Sequence, residues 1–317
     1  MKYRLRHDRV VTLTNVELRH LRSFVVLVEE LHFARAAERL HVSQPALSQT
    51  IKQLERATGL LLLQRTTRRV ELTPDGRAFR DDAVRVLEPF DTLMEHARAT
   101  AAGRRGTLRV GYTIGAAVDL VPRVLRAFTE RCPDVRVETT EFDFSEPGAG
   151  LGDGRADVAI VRPPIDVDEV QLLTLTREPR VACVADSHRL AGRQEVCIED
   201  LLDEPIIAAP GTGVWREYWL CSEYRNGAPA PVVGEAATFE AELQAVASGR
   251  GISITAEAAA RFYARPGLRF PRIANIPPCE VAVALPADPR PAARLFAEVA
   301  VTTTSKDLAG ATDDVTT

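Results

Sequence analysis

Residues 41–55 read HVSQPALSQTIKQLE, the pattern of a short helix with an unusual outer face. Ser43 is a good helix N-cap, and Pro45 falls in the first turn, where its missing N–H costs nothing. The apolar residues expected to point inward are Ala46, Leu47, Ile51 and Leu54. The outer face carries amides and hydroxyls, which can read base edges, where Lys and Glu are usual. By itself, this face would fit a solvated helix as well.

Two more helices are predicted before this stretch and a hairpin after it. From Val16 to Leu31 apolar residues recur every three or four positions, which predicts an amphipathic helix. The segment FARAAERL at 33–40 predicts a second helix, whose alanines permit a close helix crossing. Gly59 ends the third helix, and LLLLQRTTRRVELT at 60–73 predicts a β-hairpin wing with a basic tip. Three helices followed by an arginine-tipped wing favour DNA binding over a solvated surface.

The stretch LRSFVVLVEELHFARAAERLHVSQPALSQTIKQLERATG, followed by RTTRRVELTPDGRAF, resembles the signature of the LysR-type transcriptional regulators. The resemblance continues to about Val301, with one departure at Leu63, where the family often has Phe. It implies that the major groove is contacted by Gln44, Pro45, Ser48 and Gln49. It further implies that Arg68 enters the minor groove, while Arg65 and Arg69 hold phosphate and position the domain.

The fold class implied is α+β and multidomain: an N-terminal winged helix-turn-helix, a long linker helix, and a C-terminal two-lobed α/β domain like periplasmic binding proteins. The predicted domains are an N-terminal extension at 1–15, the DNA-binding domain at 16–73, the linker helix and hinge at 74–105, the effector-binding regulatory domain at 106–301 and a disordered tail at 302–317. Residues 1–15 are either a real extension or a misassigned start. Residues 1–105 carry 19 Lys and Arg against 13 Asp and Glu, and the remainder carries 21 against 31. A basic head on an acidic body fits this division.

The linker shows a strict seven-residue apolar repeat. Its members are Phe79, Ala83, Val86, Phe90, Leu93, Ala97 and Thr100. Such a repeat predicts a coiled-coil seam that joins two chains, although a helix packed on its own body is the alternative. Pro89 predicts a kink, because it lacks an N–H for the helix ladder. We therefore expect a homodimer through the linker helix, and a homotetramer through the bodies.

The body alternates strands and helices, which predicts two α/β lobes with largely parallel sheets and a ligand cleft at the strand carboxyl ends. The late strand EVAVALP at 280–286 is expected to be able to return to the first lobe. Arg162 ends the strand ADVAIVR, so its guanidinium is expected to bind an effector carboxylate. A salt bridge to a nearby acid is nearly as well supported. The other residues expected at the cleft are Tyr112, Thr113, Ile114, Gly115, Phe144, Ser145, Pro210, Gly211 and Thr212. This set is less polar than usual in the family, which favours an aromatic or other organic acid as effector. Trp215 and Trp219 are interpreted as core or lobe contacts.

Other classes of protein have less support from the sequence. The five cysteines show no CxxC and the six histidines no HExxH, so no metal or cofactor is expected. No signal-peptide core or membrane-spanning run is visible, so a cytoplasmic protein that does not contact the membrane is expected. Three alternatives remain: a solute-binding protein without a regulatory role, an enzyme using the cleft, and a redox-sensing regulator. The sequence shows no convincing nucleophile with a base, so no enzyme is expected.

Overall fold

The computed structural model describes residues 16–65, 70–116 and 118–313, without the side chains of residue 65 and residues 306–313. The chain forms two compact units, Met1–Arg98 and Ala99–Thr317. In the part of the chain that is described, no helix combines the length and hydrophobicity needed to cross a membrane.

The first unit is a three-helix domain with a two-stranded wing, followed by a long helix. Its elements are α1 (Leu18–Glu30), α2 (Phe33–Arg39), α3 (Gln44–Thr58), β1 (Leu63–Arg65), β2 (Val70–Leu72) and α4 (Pro74–Ala101). The shared core of the helices includes Phe24, Leu27, Ala36, Leu47, Ile51 and Leu54. Strands β1 and β2 pair antiparallel, with Leu63 opposite Leu72. The winged helix-turn-helix is confirmed, and Leu63 is buried in its core.

Local signals fix both ends of α3. The Ser43 hydroxyl accepts a hydrogen bond from the Ala46 N–H at 3.3 Å, as the N-cap prediction requires. Gly59 ends the helix with a φ of +73°, a conformation that glycine adopts without strain. Leu47, Ile51 and Leu54 are buried as expected. Ala46 is exposed instead, because it lies in the first turn, before the helix meets its neighbours.

Helix α4 begins where the sequence predicts and continues through Pro89. The Thr73 hydroxyl donates to the Leu61 carbonyl at 2.6 Å and accepts from the Gly76 N–H at 2.8 Å.

The apolar repeat of α4 divides into a buried part and an exposed part. Phe79 packs edge-on against Phe24 and Ala83 is buried, so this end lies on its own domain. Farther along, Val86 and Leu93 are 49% and 60% exposed, which leaves an apolar stripe uncovered in one chain.

The second unit consists of two lobes. Its elements in chain order are β3 (Gly106–Thr113), α5 (Leu120–Arg131), β4 (Val135–Phe142), β5 (Val158–Val161), β6 (Val170–Glu178), β7 (Arg180–Ala185), β8 (Glu195–Val196), β9 (Ile206–Ala208), α6 (Val214–Trp219), β10 (Val232–Glu235), α7 (Phe239–Ala247), β11 (Ser253–Ala256), α8 (Glu257–Phe262), β12 (Leu268–Arg269), β13 (Arg272–Ile273), β14 (Cys279–Pro286) and α9 (Pro291–Asp313).

The first lobe is a five-stranded sheet in the order β4-β3-β5-β14-β6. Strand β3 pairs parallel with β4 and β5, while β14 pairs antiparallel with β5 and β6. The late strand β14 therefore returns to the first lobe, as predicted. Helices α5 and α9 cover the sheet, and their rings of Phe128 and Phe296 meet at 5.3 Å.

The second lobe has a mixed sheet, whereas the sequence predicted a largely parallel one. Strand β7 follows β6 after the single residue Pro179 and pairs antiparallel with β11, β12 and β13. Among the described strands of this lobe, β8 pairs parallel with β13, and β9 and β10 form a separate two-stranded parallel sheet. The antiparallel partners of β7 begin more than 60 residues later in the chain, so the local sequence pattern does not reveal their direction.

The expected disordered tail at 302–317 is wrong for residues 302–313, which extend α9. Hydroxyl groups in this run are satisfied inside the helix: Thr302 donates to the Glu298 carbonyl and Thr304 to the Ala300 carbonyl. Thr304 is also buried. The polar composition therefore does not prevent helix formation. Residues 314–317 and the predicted extension at 1–15 lie outside the described residues.

Candidate DNA-binding and effector sites

The outer face of α3 presents the side chains expected to read DNA. Gln44, Pro45 and Gln49 are exposed, and Ser48 is half-buried. Lys52 and Gln53 continue the same exposed face along the helix. The buried apolar face fixes the rotation of α3, so these groups project from a rigid element. Such an arrangement suits amide and hydroxyl contacts with base edges in a major groove.

The wing next to this face is a two-stranded hairpin, as predicted. Arg65 ends β1, and its side chain is outside the described part of the chain. Arg68 and Arg69, which the sequence predicts for the tip of the wing, are outside the described residues. The wing is tied to α3 by Glu55, which accepts hydrogen bonds from the backbone N–H groups of Leu62 and Leu63.

A cavity of about 40 Å³ lies between the two lobes of the second unit. At roughly 10–15 Å³ for each water, it has room for about three water molecules. The first lobe contributes Ile114, Phe144 and Arg162. The second lobe contributes Ile207, Ala208, Ala209, Trp215, Arg216, Trp219, Leu220, Phe239, Glu242, Ile254 and Thr255. A cavity is therefore present between the lobes, where the sequence predicts a cleft, and it is small and mainly apolar.

Direct contacts between the lobes enclose this cavity. The Phe144 N–H donates to the Ala237 carbonyl at 2.8 Å. The Trp215 indole N–H donates to the Arg162 carbonyl at 3.1 Å. Gly115, with a φ of +73°, lies against the ring of Phe239 so closely that a Cβ would overlap it. These contacts hold the lobes in a closed arrangement, so a ligand larger than a few heavy atoms requires them to separate.

Arg162 lies at the cavity wall, but its guanidinium is already occupied. Its Nη2 is 2.5 Å from the Glu178 carboxylate and also donates to the Gly115 carbonyl at 3.1 Å. Glu178 in turn accepts from the backbone N–H of Ala258, at the start of α8. The alternative expectation, a salt bridge between Arg162 and a nearby acid, is therefore what the structure contains. The expectation that Arg162 is free to bind an effector carboxylate is corrected: its guanidinium is paired, since burial makes an unpaired guanidinium costly.

The other predicted cleft residues separate into three groups. Ile114 and Phe144 line the cavity, and Gly115 contributes its carbonyl to Arg162. Ser145 and Thr212 line a different groove at the edge of the lobes. The remaining residues line neither the cavity nor this groove: Tyr112, Thr113, Pro210 and Gly211. Tyr112 packs on the first lobe's core, and the Thr113 hydroxyl is spent on the Pro147 carbonyl.

Four aromatic rings form a wall of the cavity that was not predicted from the sequence. The ring of Phe144 lies 5.5 Å from Trp215 and 5.2 Å from Phe239, and Trp215 lies 5.9 Å from Trp219. Tyr263 stacks on the outer side of Phe239 at 4.8 Å. Trp215 and Trp219 thus serve as lobe contact and cavity wall together. Their spacing of four residues was the available signal, because it places both on one face of a helix.

Glu242 was also missed, and it is the acidic residue of the cavity wall. It lies on α7, on the buried face shared by Phe239, Leu243 and Val246. Burial raises the pKa of Glu242 to about 7, and the Ser253 hydroxyl lowers it again in part. An acid on an otherwise apolar helical face was visible in the sequence.

The buried thiols give no support to a redox role. Burial raises the pKa of Cys183 far above its ordinary value, and raises the pKa of Cys221 and of Cys279 to about 11. A thiol with a raised pKa stays protonated and is a poor nucleophile. Among the described residues no group of His, Cys, Asp and Glu is arranged to hold a metal ion.

Comparisons with known proteins match both units of the chain. Residues 18–77 match the family model of the bacterial regulatory helix-turn-helix protein, lysR family, and residues 101–305 match the LysR substrate binding domain. The HTH-type transcriptional regulator AlsR of Bacillus subtilis (strain 168) is 34% identical over 257 residues, which cover 78% of this chain and 83% of AlsR.

Solved structures of another LysR family regulator align with most of the chain. The crystal structure of CbnR, a LysR family transcriptional regulator, has a TM-score of 0.61 at 26% identity, and the match covers 90% of this chain and 100% of CbnR. Full-length CbnR complexed with its target DNA has a TM-score of 0.59 at 26% identity, over 91% of this chain and 100% of that one. The chain therefore belongs to the LysR family and is a DNA-binding transcriptional regulator with an effector-binding domain.

Proposed function

We propose that this regulator recognises its operator through the outer face of α3, and that a small molecule in the inter-lobe cavity changes how it bends the DNA. The observation that carries the proposal is the row of exposed polar groups on a helix whose rotation is fixed by its buried face. Effector binding changes the equilibrium between lobe arrangements only if it has different affinities for them. The proposed site of action is the cytoplasm, where operator DNA is found.

The DNA contacts are assigned by residue type. Gln44 and Gln49 can pair bidentately with adenine, while Ser48 can donate or accept and Pro45 offers an apolar contact. In the wing, Arg68 is proposed for the minor groove, where negative potential is strongest. Arg65 and Arg69 are proposed for phosphate, which positions the domain without reading sequence.

The oligomer is proposed from the uncovered stripe on α4. Val86 and Leu93 are exposed in a single chain and belong to the apolar repeat, so a second α4 would cover them. A dimer places two α3 helices on one operator, which increases affinity through multivalency. A tetramer through the second units remains part of the proposal.

The effector is proposed to lie against the aromatic wall of the cavity. Its charge does not follow from Arg162, because Glu178 already neutralises that guanidinium. The organic acid expected from the sequence therefore loses its main support.

The matched relative is named as a transcriptional regulator, and a lack of catalytic activity in this chain stays a prediction.

Gel shifts with the DNA upstream of the protein's own gene test the proposal. We expect a specific complex at modest ionic strength, whose affinity falls steeply as salt is added, because phosphate contacts release counterions. An unrelated fragment of equal length is the control. Equal affinity for both fragments at every salt concentration would contradict sequence-specific recognition.

A further inference from the structure

The charged residues of the cavity wall differ in whether a salt bridge neutralises them. Among the described lining residues, three carry an ionisable charge: Arg162, Arg216 and Glu242. Arg162 is paired with Glu178 at 2.5 Å, and Arg216 with Glu235 at 2.7 Å. Both guanidinium groups are thus neutralised by carboxylates that do not line the cavity.

Glu242 has no such partner in the described part of the chain. Its carboxyl takes part in none of the ion pairs found among the described side chains within 4.0 Å. Arg265, the first basic residue in the sequence after α8, forms a salt bridge with Glu240 on the exposed side of α7. When Glu242 is ionised, the cavity therefore contains one unbalanced negative charge.

The aromatic wall surrounds the same space. Phe144, Trp215, Trp219 and Phe239 form a chain of ring contacts with centroids 5.2–5.9 Å apart. The faces of aromatic rings attract cations, most strongly where water is excluded. A carboxylate and several aromatic rings lining one cavity form the combination that recognises an organic ammonium group.

We propose that the cavity binds a small organic cation with a primary amine, whose ammonium group pairs with Glu242 and whose carbon skeleton contacts the aromatic wall. This inference rests on the proposed function, in which the cavity holds the effector. It reverses the charge expected from the sequence, because the arginine that favoured an acid is neutralised internally.

The ionisation of Glu242 supports this assignment and gives it a pH signature. Because its pKa is about 7, Glu242 is largely protonated at pH 6 and largely ionised at pH 8. An ammonium ligand prefers the ionised form, so its affinity should rise over this interval. The groups that interact with Glu242 or with its neighbour Cys183 are Ser253 on β11, Cys183 on β7 and Arg265, which pairs with Glu240; the thiol of Cys183 titrates far above this window.

The probes are sets of compounds that share a skeleton and differ in charge. One set is propylammonium, propanol and propionate, which suits a cavity of about 40 Å³. The second is benzylammonium, benzyl alcohol and benzoate, which requires the lobes to separate. Within each set size is nearly constant, so differences in affinity report the charge that the cavity prefers.

Calorimetry on the full-length protein tests the inference. We expect saturable binding of an ammonium compound, weaker binding of the alcohol, and none of the carboxylate. Glu242→Gln should weaken ammonium binding by about tenfold or more, as loss of a charge-assisted hydrogen bond predicts. Glu240→Gln, on the same helix but outside the cavity, should leave binding unchanged. The wild-type affinity should increase from pH 6 to pH 8, a measurement that needs no variant.

Three results would overturn the inference: preferential binding of the carboxylate, ammonium binding that ignores Glu242→Gln and pH, or no ammonium binding at millimolar concentration. Gel shifts on the same preparations keep this inference separate from the proposed function. If a carboxylate binds and alters the DNA complex, the effector mechanism stands and the amine inference fails. If an amine binds through Glu242 without altering the DNA complex, the inference stands and the effector mechanism fails.

Discussion

Glu242 and Arg162 determine the chemistry of the cavity, and each differs from what its residue type suggests. An exposed arginine at a strand end would attract an anion, yet Arg162 is buried against Glu178. A glutamate on a helix is usually solvated, yet Glu242 is buried and has no ion-pair partner among the described side chains. Tertiary structure produces both outcomes. Glu178, the partner of Arg162, lies 16 residues later on the next strand, and burial within the second lobe raises the pKa of Glu242.

Glu242 should make stability depend on pH. Its pKa is 4.5 ordinarily and about 7 in the folded protein, so between these values the folded state holds a proton that the unfolded state has lost. The free energy of unfolding should therefore fall as pH rises through this window, by about 3 kcal/mol from this group. The Glu242→Gln variant should lack this decrease in the free energy of unfolding, and it should be more stable than the wild type at pH 8. Chemical denaturation at pH 5 and pH 8 gives the free energy of unfolding of both proteins. The prediction is refuted if this free energy changes between the two pH values as much in the variant as in the wild type.

Glu178→Gln should destabilise the second unit by about 3 kcal/mol, because it leaves the buried Arg162 guanidinium without its counter-charge. Glu280→Gln is the matched control, since Glu280 pairs with Arg177 at 2.7 Å on the surface. Exposed pairs contribute about 0–1 kcal/mol. Chemical denaturation of the two variants gives the comparison. Equal losses would mean that the Arg162–Glu178 pair is no more important than a surface pair.

At the scale of elements, local signals predicted the first unit well. Ser43, Gly59 and Thr73 mark helix ends through contacts within a few residues, which a sequence displays directly. The second lobe was harder, because β7 pairs with strands more than 60 residues later in the chain. The extension of α9 was missed for another reason: its threonine hydroxyls bond back to the helix, a role that composition alone does not reveal.

Helix α4 carries the prediction about assembly. Leu93→Asp places a charge in the uncovered apolar stripe and should shift the dimer towards monomer, because a second helix cannot bury it without cost. Thr92→Asp adds the same charge next to the stripe and should leave the dimer intact. Analytical ultracentrifugation distinguishes the two. A dimer that survives Leu93→Asp would place the interface elsewhere.

At the scale of the whole molecule, the sequence predicted the family, the order of domains and the presence of an inter-lobe site. It predicted the site's residues only in part. Ile114, Phe144 and Arg162 reach the cavity, while Trp215, Trp219, Phe239 and Glu242 were not assigned to it. Those four lie on two helices of the second lobe, and the closing of one lobe on the other brings them to the cavity. Their relation to a ligand depends on tertiary structure, whereas the face of α3 depends on one helix.

The most direct test of DNA recognition is the preferred operator sequence of the wild type and of Gln49→Ala, determined by selection from random duplexes. We expect the wild type to select a two-fold-related sequence. Gln49→Ala should relax the preference at one position in each half-site, at a cost of about 1–3 kcal/mol, because one bidentate base contact is lost. Identical preferred sequences for both proteins, or no selected sequence for the wild type, would contradict recognition through α3.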